Sequence, residues 1–278
     1  MDSAASTRSS GQALGQRIVL AALAALIALA VAGPWITPYD PTETNPTAAL
    51  LHPGAVHLFG TDALGRDMFS RTLAATRTDL LIASVSVVAA LTVGSVLGAA
   101  AGWRGGWVDR IIGRLMDTIM AFPLFVLAVG IAAAMGNSVA SVVVATVVVN
   151  LPFYARQVRA EVSRRRNAGY VEAARLAGFG PIAILAGQIL PNLAPPLMVQ
   201  SSLNMGWAIL NAAGLSFIGL GIRPPTPEWG IIVSEGAAYI FSGEWWLFVF
   251  PGGMLMLAVL IFGFAGDVLR DRLDPRRD

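Results

Sequence analysis

The chain has 278 residues, 55% of them hydrophobic and only 13% charged, with a net charge of +2. About a quarter of a soluble domain's residues are charged, so this composition excludes an ordinary soluble globular protein and makes the bilayer the natural solvent. Cysteine is absent, which excludes disulfides, thiolate metal sites and cysteine nucleophiles; lysine is absent too, which excludes the phosphate-binding loop G-x-x-x-x-G-K-[ST] in this polypeptide.

In chain order, the first 16 residues are rich in Ser and Ala and read as a disordered tail. A bilayer core needs roughly 20 apolar residues per helix. Ile18 to Ile36 supplies the first such run. Its alternative is a cleaved signal peptide, because Arg8 and Arg17 precede it and Ala30-Val31-Ala32 resembles a cleavage site. The stretch is long for a signal peptide, however, and five further spans follow. A polar segment over 37–79 contains Thr37-Pro38-Tyr39-Asp40-Pro41 and HLFGTDALGRDMFSR, His57 to Arg71. Leu80 to Trp103 forms the second span, and the uncharged stretch Thr118 to Ala155 holds two more. These break at the turn sequence Gly136-Asn137-Ser138, giving spans at 118–135 and 139–155.

A loop over 156–196 starts strongly basic and becomes small and apolar. The pattern predicts a helix from Ala168 to Leu176, a break at Gly178-Phe179-Gly180-Pro181, and a second helix that ends at Leu190 before Pro191. A fifth span covers 197–219, a Pro- and Trp-rich loop 220–245, and a sixth span Trp245 to Gly266, with a kink expected at Pro251-Gly252-Gly253.

An even number of spans puts both termini on one side. That side then carries Arg8, Arg17, Arg104, Arg110, Arg114, Arg156, Arg159, Arg164, Arg165, Arg166, Arg175, Arg270, Arg272, Arg276 and Arg277, against Arg66, Arg71, Arg77 and Arg223 on the other. The positive-inside rule places both termini in the cytoplasm, and an odd count would spoil the separation. Topology therefore accounts for the pI of about 9.5 without nucleic acid.

Ionisable residues inside a span usually mark a proton or ion path. The predicted spans carry essentially none; Asp79 and Asp117 are expected as solvated carboxylates at span edges. His52 and His57, five residues apart, are read as surface loop residues rather than metal ligands. No nucleophile–base–orienter set is present. Gly94 and Gly98 form G-x-x-x-G, a spacing that lets helices approach closely. Tyr170 to Gly178 is a short helix with small residues on one side and a terminating glycine. It fits either a partner's surface or the bilayer surface.

Residues 172–191, EAARLAGFGPIAILAGQILP, resemble the cytoplasmic EAA loop of bacterial ATP-binding cassette importer permeases. In the pattern E-A-A, three residues, G, nine residues, I-x-L-P, the matching positions are Glu172, Ala173, Ala174, Gly178, Leu190 and Pro191. Gln188 departs from the isoleucine. Five further segments resemble the dipeptide/oligopeptide/nickel branch: His57–Arg71, Gly102–Pro123, Leu215–Gly230, Glu244–Gly253 in the final span and Gly266–Arg276 at the tail. The chain looks like the second of that branch's two permeases.

The resemblance implies an all-α integral membrane protein with six transmembrane helices and the type I importer permease fold. It divides the chain into a cytoplasmic tail (1–17), a first transmembrane helix with a periplasmic loop (18–77), a permease core (78–267) and a cytoplasmic tail (268–278). It also implies residence in the bacterial inner membrane, a second permease chain as heterodimer partner, two ATPase subunits, and a periplasmic or lipid-anchored solute-binding protein. ATP and Mg would act in the ATPases, with no cofactor or catalytic residue here. Glu172, Ala173, Ala174, Gly178, Leu190 and Pro191 would couple to an ATPase. Di- or oligopeptides are the expected cargo, with nickel or another small solute as the alternative. Rival readings are a proton-coupled secondary transporter and a membrane scaffold.

Overall fold

The computed structural model describes residues 2–273; Arg276 and Arg277 of the predicted basic tail lie outside the described residues. Ten helices follow in order: α1 Asp2–Ile36, α2 Met68–Arg104, α3 Gly106–Ala121, α4 Leu124–Met135, α5 Val139–Arg165, α6 Gly169–Leu176, α7 Pro181–Ile184, α8 Ala194–Phe217, α9 Trp229–Ala237 and α10 Trp246–Leu273. Among the described residues the one β pairing is an isolated bridge between Thr61 and Asp67. The first residues, expected as a disordered tail, begin α1; alanine, glutamine and arginine favour helix there.

Five of these helical runs are long and apolar enough to cross a membrane: Leu14–Gly33, Met68–Arg104, Val139–Arg165, Pro181–Phe217 and Trp246–Leu273. The third span, predicted at 118–135, is broken by a bend. α3 and α4 meet at a 94° bend, where Phe122 is extended and Pro123 follows. Proline removes the N–H that would continue the helix and pushes its predecessor out of helical conformation. α4 has 12 residues, about 18 Å at 1.5 Å per residue, too short to cross the hydrocarbon core of about 30 Å alone. The bent pair nevertheless makes one traverse. It starts at Gly105, beside Arg166 at the arginine-rich end. It finishes at the α4–α5 turn, where Asn137 Nδ2 donates to the Gly219 carbonyl at the opposite end.

The tightest packing is α2 against α5. A methyl group on Gly94 would stand 2.7 Å from Tyr154 Cβ, one on Gly98 2.4 Å from the Ala155 carbonyl oxygen, and one on Gly102 2.7 Å from the Arg159 carbonyl oxygen. The sequence motif is therefore a three-glycine contact, one step longer than Gly94 and Gly98. Backbones approach because no side chain stands between them.

α2 starts at Met68, twelve residues before the predicted span and ahead of the 77/78 boundary. Asp67 caps it, accepting from the Ser70 N–H at 2.7 Å, and His57 Nδ1 meets the same carboxylate at 2.8 Å. The early start buries charge. Arg71 is 1% exposed; Arg66 Nη2 and Arg71 Nη2 both donate to Glu235 of α9, at 2.9 and 2.8 Å, and Arg66 Nε donates to Asp62 at 2.6 Å. Asp79, expected as a solvated carboxylate, is fully buried and accepts the Trp229 N–H at 3.1 Å. Buried Glu228 caps α9 through the Gly230 and Ile231 N–H groups, each at 2.9 Å. These carboxylates thus anchor the 220–230 loop against α2.

The 37–67 segment closes this end of the bundle. Trp246 is buried, stacks near His52 with centroids 4.4 Å apart, and donates its indole N–H to the Thr61 carbonyl at 3.2 Å. Trp246→Phe leaves that carbonyl without its donor and is expected to cost about 1 kcal/mol. Faster limited proteolysis within 37–67, with the rest of the chain unchanged, is the measurement. Pro251 lies inside α10, which runs on across it to Leu273.

Candidate functional site

The arginine-rich end is organised by the basic part of α5. Arg159 makes a two-pronged pair with Asp109 of α3, its Nη2 lying 2.7 Å from Oδ2. Arg156 meets Asp117, exposed as expected, at 2.5 Å. Arg164 and Arg165 both reach Glu161, at 2.5 and 3.2 Å, and Arg166 donates to the Gly102 carbonyl at 3.3 Å. The cluster Arg164-Arg165-Arg166 is thus engaged within the chain, and it fixes the point from which α6 departs.

α6 is short because its ends are chemically defined. Its C-terminus closes in a Schellman arrangement: the Phe179 N–H bonds the Ala174 carbonyl and the Gly178 N–H the Arg175 carbonyl, each at 3.0 Å. Gly178 has φ of +86°, the left-handed conformation this motif demands and glycine adopts without penalty. Val171 and Ala174 are buried in one cluster with Val158, Val162, Ile184 and Ile189. Arg175 clamps the other side, donating to the Arg166 carbonyl at 3.1 Å and lying 4.9 Å from the Trp103 ring centroid.

The six residues singled out in the sequence divide between two roles. Ala174 faces the interior, and Leu190 is half-buried on the same cluster. Pro191 opens a single 3-10 turn, Pro191–Leu193, that passes directly into α8. The predicted second helix therefore does not stop at Pro191. It runs α7, then a π turn over Leu185–Ile189 closed by the Leu190 N–H to the Leu185 carbonyl at 2.8 Å, then the 3-10 turn. Proline cannot donate to the turn before it, so the winding changes there while the direction is kept. Glu172, Ala173 and Gly178 stand outward, and Glu172 has no side-chain partner among the described residues.

Around these three lie Tyr170, Leu176, Phe179 and Ile182, with Leu176 91% and Ile182 81% exposed. The sequence reading marked the small residues and missed this apolar rim and the Arg175–Trp103 clamp. The available signal was Leu176, on the face of α6 opposite Val171 and Ala174, with the apolar Phe179 and Ile182 at and just beyond the break. A contiguous exposed apolar patch beside charged residues is the mark of a protein or membrane contact. A rigidly held short helix can transmit a displacement of that contact to α5 and α8. Among the described residues no group of three His, Asp or Glu stands together as metal ligands.

Comparison with known proteins gives a consistent picture. The family described as "Binding-protein-dependent transport system inner membrane component" matches residues 94–278, and the "N-terminal TM domain of oligopeptide transport permease C" matches 18–53. The chain is 41% identical over 251 residues to the probable D,D-dipeptide transport system permease DdpC of Escherichia coli K12, covering 90% of this chain and 84% of that one. It is 42% identical over 257 residues to the di/tripeptide permease DppC of Pseudomonas aeruginosa, with 90% and 84% covered. It is 38% identical over 259 residues to the nickel permease NikC of E. coli K12, with 93% of each covered. Among solved structures, an inward-facing form of the MetNI methionine ABC transporter aligns with a TM-score of 0.59 at 19% identity, over 74% of this chain and 98% of that one. That likeness establishes the type I permease fold.

Proposed function

The chain belongs to the binding-protein-dependent transport system inner membrane components, in their dipeptide/oligopeptide/nickel branch, and from that premise we propose that it forms part of the translocation path of an ATP-driven importer of di- or oligopeptides. The observation that carries the reading is α6: anchored by Val171, Ala174 and Arg175, it presents Glu172, Ala173, Gly178 and an apolar rim outward at the arginine-rich end. That face suits the groove of an ATPase subunit. Leu190 and Pro191 join the segment rigidly to α8, so closure of paired ATPases on ATP and Mg rocks α5 and α8 together. ATP binds elsewhere because this chain has no lysine for a phosphate-binding loop. The partners are two ATPases, a second and different permease chain, and a periplasmic or lipid-anchored solute-binding protein that docks at the end capped by 37–67 and α9. Both termini are cytoplasmic.

Peptide cargo is favoured by the DdpC and DppC relatives; the NikC relative keeps nickel as the alternative. The deciding experiment is mass identification of whatever co-purifies with the gently solubilised, tagged protein, followed by uptake in proteoliposomes. A second permease, ATPases and ATP-driven uptake without a proton gradient are expected. Repeated recovery of the chain alone, with uptake that collapses with the proton gradient, sinks the proposal. Orientation has its own test. Reporter fusions after Arg166 and Asp278 are expected to report cytoplasm and one after Asp62 the outside; any reversal breaks the assignment.

A further inference from the structure

A polar side chain inside a span must face protein or a water-filled path, because lipid offers it no hydrogen bond. α8 carries Gln200, Asn204, Trp207 and Asn211. Steps of four, three and four keep these on a single stripe of a helix. α5 sets Asn150 and Phe153 opposite, and Phe125 of α4 closes the side. Together these enclose a cavity of about 220 Å³ between α4, α5 and α8, room for roughly seven waters at 30 Å³ each. The exposed residues on its rim are apolar and mostly aromatic: Phe125 43%, Phe153 38%, Trp207 64% and Leu203 40%.

Asn150 and Gln200 spend their amide donors within their own helices, while Asn204 of α8 faces Tyr154 of α5. Asn150 Nδ2 donates back to its own helix, to the Thr146 carbonyl at 2.8 Å, and Gln200 Nε2 to Asn204 Oδ1 at 2.9 Å along α8. Asn204 is 3% exposed, and its Nδ2 has no acceptor in hydrogen-bond geometry. Each carboxamide offers both a donor and an acceptor, the same pair that a peptide group presents. No acid, base, imidazole or sulfur atom lines the cavity, so its polar lining is uncharged. Aromatic faces beside amides accept varied side chains while the amides meet a backbone common to all peptides.

We propose that this cavity is the subsite through which the chain contacts the backbone amides of a peptide in transit, with Asn150, Gln200, Asn204 and Asn211 as the hydrogen-bonding groups and Phe125, Phe153 and Trp207 as the apolar wall. The inference rests on the importer reading above. It commits to an amide-bearing solute and not to a packing face for the partner permease.

The chain's lack of cysteine makes the test direct. In the transporter purified with its native partners and reconstituted, Asn211→Cys carries this chain's sole thiol. A water-soluble maleimide is expected to label it, and trialanine with ATP and the binding protein to slow that labelling about fivefold or more. Asn204→Leu, which removes a hydrogen-bonding group, and Trp207→Ala, which removes wall area, are each expected to lower trialanine uptake about tenfold, equivalent to about 1.4 kcal/mol, while binding-protein-stimulated ATP hydrolysis persists. Trp207 is mostly exposed, so its removal tests the wall without endangering the fold. A thiol that trialanine leaves unprotected overturns the subsite. So does a thiol reactive in the isolated chain yet covered in the assembly, or normal uptake in both variants. The importer reading fails separately, if the unsubstituted assembly shows no stimulated hydrolysis.

Discussion

Gly98→Leu is expected to leave little or no correctly packed protein in the membrane. The new Cβ would lie 2.4 Å from the Ala155 carbonyl oxygen and 3.0 Å from the Arg159 nitrogen. Both are backbone atoms of α5, so no rotamer change relieves the clash. Moving α5 away would open the neighbouring contacts at Gly94 and Gly102, where an added Cβ would stand 2.7 Å from α5. It would also pull on the Arg159–Asp109 pair and on the point where α6 departs. Overpacking of this kind costs about 3 kcal/mol or more when the neighbour cannot yield, a large share of the 5–15 kcal/mol typical of whole-domain stability. Gel-filtration profiles and melting temperature of the detergent-solubilised protein give the readout, with the monodisperse peak lost. Gly113→Leu is the control, since a Cβ there meets nothing within 4 Å. A Gly98→Leu protein that melts with the unsubstituted one would show that α2 and α5 do not pack this way.

How much of this architecture could be read from the sequence depends on how local its causes are. The break at Gly178 was legible because one residue's backbone freedom, followed by Pro181, decides it. The apolar runs of α1, α5, α8 and α10 were legible because hydropathy over 20 residues decides them. The start of α2 was not. Arg71 and Asp79 interrupt the apolar run, and what makes them tolerable lies elsewhere: Glu235 is 164 residues from Arg71 and the Trp229 N–H 150 residues from Asp79. A window that sees only neighbours counts such residues as solvated. The bend at Pro123 could have been suspected, but its angle of 94° could not, and α3 beyond it is paired to α5 through Asp109 and Asp117. Of the 172–191 segment, the motif residues were visible, while their division into an interior pair and an outward set needed the fold. The stripe of Gln200, Asn204, Trp207 and Asn211 was present in the sequence at helical spacing and went unread, because uncharged amides do not interrupt a hydropathy run.

The surface of α6 gives the other large expected effect. Glu172→Arg and Gly178→Trp are each expected to lower uptake by about tenfold or more, the scale of losing one hot-spot contact of about 2 kcal/mol, with the protein inserted and stable. Glu172 is exposed and has no side-chain partner among the described residues, so its replacement costs the isolated fold within about 0.5 kcal/mol. Reversal of its charge in the first turn of α6 adds an unfavourable term of about 0.3–1 kcal/mol with the helix dipole. At Gly178 two effects must be separated. Any side chain is strained at φ of +86°, whereas a Cβ there meets nothing within 4 Å. Gly178→Ala therefore reports strain alone, and the difference between Ala and Trp reports bulk placed on the outward face. Uptake that falls modestly in Gly178→Ala and steeply in Gly178→Trp, while the purified assembly still hydrolyses ATP, locates the loss at a partner's surface. Equal loss in both would assign the effect to the turn itself. Normal uptake in both Glu172→Arg and Gly178→Trp would remove α6 from the coupling path, and its apolar rim would then be a contact with the bilayer surface.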